Sequence, residues 1–205
     1  MINMKKNPIQ FFDDWAKENK DEGMVKNHFQ PVREILKSCL PSKKKFSFVD
    51  AGCGNGWLVE YVNQMNNCTF CSGVDGSYSM IKKAKLNYPD NIYFESNIES
   101  WIPEKTVDFV FSMEVIYYLN NPKKFIKNIR NKWLSKNGVF ICALDYYFDN
   151  KSSHNWSEKY QIKNMTLLSK KEWLQIFSKF FQNVEISQIN MKENWQGTLV
   201  FKCKK

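Results

Sequence analysis

Residues 48–62, FVDAGCGNGWLVEYV, carry an apolar run that ends in an acid, Asp50. Gly52, Gly54 and Gly56 follow at alternate positions, and an amphipathic segment comes next. That order reads as strand, tight turn and helix. In open α/β sheets, ligands sit beyond the carboxyl ends of the strands, where such a turn lies. The turn is not a dinucleotide fingerprint, because G-x-G-x-x-G counted from Gly52 and Gly54 needs glycine where Trp57 stands. It is not a phosphate-binding P-loop either, since no Gly-Lys-Ser or Gly-Lys-Thr follows. A second acid, Asp75, ends the next apolar run, nineteen residues after Gly56. An acid at that place can accept both hydroxyls of a ribose. The two marks together point to a nucleoside-bearing ligand.

Other reactive side chains are few. The chain has two histidines, His28 and His154, either of which could move a proton near neutral pH. Its six cysteines include one C-x-x-C, Cys68 and Cys71, with no second pair or histidine cluster to complete a metal site. Positions three apart on a regular strand point to opposite faces, so these two are expected to be packing residues. No metal is expected.

Alternating elements position these residues. Two helical segments open the chain, PIQFFDDWAKENK and GMVKNHFQPVREILKSCL, with Pro31 starting or kinking the regular part of the second. Strands are expected at FSFVDA, TFCSGVD, NIYFES, VDFVFSM and GVFICALDY, with helices GWLVEYVNQM, SYSMIKKAKLN and PKKFIKNIRNKWL between them. The helix SKKEWLQIFSKFF, capped by Ser169, leads to the strands VEISQI and QGTLVFKC. The few residues between these last two strands, NMKEN, are too short for a helical crossover, so the pair is expected to be antiparallel. The long polar-aromatic connection over residues 145–168 is of a length that is usually functional or mobile.

The run Asp50-Ala51-Gly52-Cys53-Gly54-Asn55-Gly56 resembles the first motif of class I S-adenosylmethionine-dependent methyltransferases, closest to the small type 11 group. The resemblance covers residues 46 to about 145 by motif and the end by topology. It implies an α/β fold: a single Rossmann-like domain with a seven-stranded, mostly parallel sheet, an antiparallel last strand and an N-terminal helical cap. Residues 1–45 would be the cap and 46–205 the core. It also implies S-adenosyl-L-methionine as cofactor, released as S-adenosyl-L-homocysteine. Carried over position by position, Asp50, Gly52, Cys53 and Gly54 would hold its aminoacyl end, and Asp75 the ribose. Gly76, Ser77 and Met80 would be further cofactor contacts, Met80 beside the adenine, and Asn97 and Ile98 stand where the family holds the adenine amino group. Asn97 stands where the family often has aspartate. Ser112 and Met113 would lie beneath the sulfonium, and Trp15 of the cap would touch the cofactor. Glu114, Tyr117 and Tyr118 would border the acceptor. His28, Glu114, Tyr117 and His154 are the acid–base or positioning candidates, and Tyr146, Tyr147 and Trp156 are further pocket candidates.

Methyl transfer requires an in-line nucleophile and exclusion of water more than it requires a catalytic triad. A small-molecule acceptor, closed in by the cap and the 145–168 connection, is therefore the expected substrate. Two rivals stand beside it: an RNA or protein methyltransferase, and a non-catalytic cofactor-binding module. The formal net charge of +9 invites a nucleic-acid partner, yet only Arg33 and Arg130 among the 30 basic residues are arginines, and the lysines are scattered. Nucleic acid is thus an unfavoured partner. No apolar run approaches the ~20 residues of a membrane span, and the N-terminal stretch lacks signal-peptide features. The expected location is the cytoplasm. Oligomeric state is not legible.

Overall fold

The computed structural model describes residues 5–205, so the first four residues of the expected cap lie outside the described residues. Helix α1 spans Pro8–Lys17, with proline in its first turn and the Asn7 side chain accepting from Gln10 N at 2.9 Å. Helix α2, Glu22–Cys39, runs on through Pro31, which is buried within it. The core then alternates: β1 Phe46–Ala51, α3 Trp57–Asn63, β2 Cys68–Asp75, α4 Tyr78–Asn87, β3 Ile92–Glu95 and β4 Val107–Met113. Helix α5, Pro122–Asn128, continues as a π-helical turn, Ile129–Trp133, into β5, Leu134–Leu144. The short helix α6, Trp156–Lys159, lies in the 145–168 connection; α7, Lys170–Ser178, and the strands β6, Asn183–Ile189, and β7, Thr198–Lys204, follow.

The seven strands form one sheet in the order β3-β2-β1-β4-β5-β7-β6. The pairs from β3 to β5 are parallel, and β7 is antiparallel to both β5 and β6. The order reverses between β1 and β4, which opens a crevice at their carboxyl ends. One face packs Val32, Ile35 and Leu36 of α2 with Leu58, Val62, Ile81 and Ala84 against Phe48 and Phe111. The other packs Phe125, Ile126, Trp133, Trp173 and Phe177 against Phe140 and Phe201. Helix α2 is therefore a layer of the core as well as part of a cover. No helix among the described residues is long and apolar enough to cross a membrane.

Two local departures from the sequence expectation have physical causes. Strand β5 begins at Leu134, ahead of the expected start at Gly138, because Leu134 already pairs with Val107. The register then jumps to Phe109 against Val139, and Ser135 donates to Asp108 Oδ1 at 3.1 Å within the irregularity. In β2, Phe46 faces Cys68 and Ser47 faces Phe70, so Thr69 is an extra residue. A bulge of this kind cancels one step of side-chain alternation. Cys68 and Cys71 therefore share a face and pack on the cluster that holds Phe46 and Phe48, rather than pointing apart. All six cysteines are free thiols.

Candidate active site

The glycine turn after β1 is fixed by its own backbone. Gly52 N and Cys53 N both donate to Val74 O, at 2.8 and 3.1 Å, which stitches the turn to β2. Gly52, Gly54 and Gly56 all have positive φ, at 86°, 51° and 82°. A Cβ on Gly52 would stand 2.2 Å from Val115 Cγ2, and one on Gly56 2.6 Å from Tyr93 Oη. A Cβ on Gly54 would meet nothing nearer than Met80 Sδ at 3.9 Å. The first and third glycines thus make room for protein, and the second faces open space. A bare backbone facing a cavity is what close approach of a ligand requires.

That space is a cavity of about 390 Å³ beyond the carboxyl ends of the strands, within the size range of small-molecule and cofactor sites. Gly52, Gly54, Asp75, Gly76 and Met80 line one end of it, with Asn97 and Ile98 after β3. Met113 and Glu114 after β4, with Val115 and Tyr118, line the other. The roof is made by Pro8, Ile9 and Phe12 of α1, Met24 of α2 and Asn164 of the connection. A smaller cavity of about 70 Å³ lies beneath α2, lined by His28, Asp50, Cys53, Met113 and Glu114 among others. The roof is clasped: Lys6 N donates to Gln161 O and Lys163 N to Lys6 O, both at 2.8 Å. Lys5 Nζ pairs with Glu158, in α6, at 2.5 Å.

Acids dominate the floor. Asp75 accepts from Gly54 N at 3.0 Å and Ser77 N at 2.8 Å. Burial raises its pKa, and these amides oppose the rise. Asp50, 4% exposed, is pushed up to about 8 by burial and then by the charge of Asp75. The sign for stability follows. A folded pKa above the ordinary carboxylate value means that stability from this group is full below about 4. It is lost as pH rises to about 8. A cation beside Asp50 would remove that loss.

Glu114 sits in the left-handed region, φ 59°, just past β4. Its Oε1 accepts from Asp145 N at 2.5 Å and its Oε2 from Tyr117 Oη at 2.6 Å. Burial holds its pKa well above the usual range, and the charge of Asp145 adds to this. His28 Nε2 stands 4.0 Å from Asp145 Oδ2. Burial lowers the histidine and raises the acid, outweighing their attraction and favouring the neutral pair. Asp145 Oδ1 is buried with no partner among the described residues.

The structure gathers most of the sequence candidates and sets some apart. Asp50, Gly52, Cys53, Gly54, Asp75, Gly76, Met80, Asn97, Ile98, Met113, Glu114 and His28 line one cavity or the other. Ser77 does not: fully buried, it caps α4 and donates to Asp13 Oδ1 at 3.1 Å. Ser112 spends its hydroxyl on Ala51 O at 2.8 Å, bracing β1 against β4. Trp15 packs among Phe11, Phe12 and Tyr160 outside the cavity lining. Tyr117 is fully buried and reaches the site only through its bond to Glu114. His154 lies away from the lining, with Nε2 2.6 Å from Phe148 O. Tyr146 and Tyr147 turn into the core, where Tyr147 Oη donates to Gly197 O at 3.0 Å. Ile9, Phe12, Met24, Val115 and Asn164 line the cavity without having been singled out from sequence. Phe12 was legible as part of the α1 apolar stripe; Asn164 carries no sequence signal.

A seven-stranded sheet with this strand order, a glycine turn and an acid at the end of β2 defines the class I methyltransferase architecture. Known proteins agree. A family model described as a methyltransferase domain matches residues 49–142. Trans-aconitate 2-methyltransferase of Rhizobium rhizogenes is 26% identical over 92 residues, 45% of this chain and 36% of that enzyme. The chain spans only about a third of the length of the curated relatives it matches. Among solved structures, a chain from the complex between the Haloferax volcanii Trm112 methyltransferase activator and a methyltransferase superposes with TM-score 0.80 at 24% identity. That match covers 94% of this chain and 96% of the other. The N-methyltransferase NodS from Bradyrhizobium japonicum, solved with S-adenosyl-l-homocysteine, superposes with TM-score 0.73 at 15% identity, over 98% and 99% of the two chains. Both show the same fold. Residues 49–142 are thus similar to a methyltransferase domain, and the chain shares the fold of these solved methyltransferases.

Proposed function

We propose that this chain transfers a methyl group from S-adenosylmethionine to a small-molecule acceptor held beneath α1, α2 and the 145–168 connection, in the cytoplasm. The observation that carries this reading is the cavity itself. It joins a bare Gly54 backbone and the Asp75 carboxylate at one end to a roofed chamber beside Glu114 at the other. The residues fit the cofactor. Gly54 leaves room for its aminoacyl end, Asp50 would face its ammonium, and Asp75 has acceptor capacity left for ribose hydroxyls. Asn97 and Ile98 would flank the adenine with Met80. When bound, the cofactor supplies an electrophilic methyl on a sulfonium. The chain's own residues orient and shield: Phe12, Met24 and Tyr118 keep water from the chamber, and Glu114 offers a desolvated proton acceptor.

Purified protein incubated with methyl-labelled S-adenosylmethionine and a cell extract tests this reading. Label is expected in the small-molecule fraction, resistant to nuclease and protease. Label in RNA or protein would replace the acceptor class, and bound cofactor with no label in any fraction would favour a sensing module.

A further inference from the structure

The charge around the cavity opposes that of the chain. The protein carries 30 lysines and arginines and a net charge of +9. None of those basic residues is among the described residues that line the two cavities, whereas five acids are. Four of the five have partners within the fold, and only one of those partners is a cation. Asp21 pairs with Lys83 at 2.7 Å, Asp75 holds two backbone amides, and Glu99 accepts from the amides of Asn120 and Asn121. Glu114, the fourth, accepts from Asp145 N and Tyr117 Oη, and no cation stands beside it or beside Asp50. Asp50 lines only the small cavity under α2, on the aminoacyl side of the glycine turn, where the cofactor's ammonium would neutralise it. Glu114 lines both cavities and faces the roofed chamber. Behind it, Asp145 Oδ1 is buried without a partner. A buried carboxylate without a counter-charge is costly, and a cation beside it removes the cost. The chamber walls are apolar: Phe12 and Tyr118 meet edge-to-face with centroids 5.2 Å apart, next to Met24 and Val115.

We propose that the acceptor is an amine on an aromatic or otherwise apolar body, its nitrogen bound at Glu114. This rests on the methyltransferase reading and narrows it. As an ammonium binds, Glu114 releases to solvent the proton that burial favours in the empty site; the carboxylate then takes one proton from the nitrogen, leaving a neutral amine with its lone pair and Glu114 as the carboxylic acid. Tyr117 Oη and Asp145 N hold the Glu114 head in place through this exchange. A polycarboxylate such as trans-aconitate, the substrate named for the curated relatives, would find acids and no basic partner here. Carboxylate recognition draws on arginine or lysine, and this lining supplies neither.

Isothermal titration separates the two ideas. 2-Phenylethylamine, its neutral counterpart 2-phenylethanol, and trans-aconitate are each titrated into the intact chain, with and without saturating S-adenosylhomocysteine. The amine is expected to bind at least tenfold more tightly than the alcohol, and trans-aconitate to give no saturable heat. Glu114→Gln should weaken the amine at least tenfold. Binding of trans-aconitate, equal affinity for amine and alcohol, or no amine binding in either condition would overturn the proposal. The comparison of amine with alcohol on the unaltered chain stands even if the variant does not fold. Failure of S-adenosylhomocysteine itself to bind would sink the methyltransferase reading instead, and the cofactor-free amine titration reads apart from it.

Discussion

The wall over the ends of β1 and β2 is made of backbone. Three positive-φ glycines, two amides on Val74 O and two more on Asp75 shape it, with the side chains of Asp50, Asp75 and Met80 beside them. The wall over the ends of β4 and β5 is made of side chains: Met113, Glu114, Val115 and Tyr118, with Asp145 and Tyr117 behind. A backbone wall presents the same groups whatever the neighbouring side chains are, so it suits a ligand that does not vary. A side-chain wall can be changed residue by residue, so it suits the partner that sets specificity. The chemistry divides along the same line. On the proposed function, the conformational freedom of glycine would serve the cofactor end, and a strained, desolvated acid, Glu114 at φ 59°, would serve the acceptor end.

The comparison can be broken most severely at Gly56. Alanine there must adopt φ 82° and place a methyl 2.6 Å from Tyr93 Oη and 2.8 Å from Ala84 Cβ. Left-handed strain and overpacking together should lower unfolding stability by about 3 kcal/mol, read from the denaturant midpoint at constant slope. A loss below about 1 kcal/mol would mean that the backbone wall is plastic. Asp75→Ala comes next. It should weaken cofactor binding at least tenfold, or ~1.4 kcal/mol, through lost hydrogen bonds to a charged group. Unchanged affinity in direct titration would remove the ribose assignment. The smallest effect is expected at His154→Ala. With its ring bonded to Phe148 O away from the lining, kcat and KM should stay within about twofold and stability within about 0.5 kcal/mol. A large drop in kcat would show that the connection refolds over the acceptor and that the side-chain wall extends to His154.

The same division governs how much was legible in advance. The backbone wall was nearly all readable, because Gly52, Gly54 and Asp75 are constrained by φ, by close approach and by position at a strand end. The alternation of strands and helices was readable for a similar reason, since periodicity reports burial directly. The side-chain wall was less so. Ser77 and Ser112 were grouped with the ligand contacts because they are polar residues at strand ends, yet each had a nearer partner, Asp13 and the Ala51 carbonyl. Tyr146 and Tyr147 stand in a stretch that reads as polar loop, but both are buried, since the connection folds back on the sheet edge. The bulge at Thr69 reversed the facing of Cys68 and Cys71, and no residue type near it marks a bulge in advance. Asn164 reaches the cavity through the Lys6–Ile162 bridge, a pairing between distant segments that no local pattern encodes.

That clasp also bears on the order in which the molecule assembles. The bond from Lys5 to Ser157 joins residues 152 apart. Closing a loop of that length in an open chain costs about 4 kcal/mol of entropy, far more than a few exposed hydrogen bonds return. Once the sheet has formed, its two ends are already neighbours and the cost has vanished. The cover is therefore expected to dock last on folding and to loosen first when the protein fluctuates. Access to the chamber is then a by-product of chain topology, a door hung on the last step of folding.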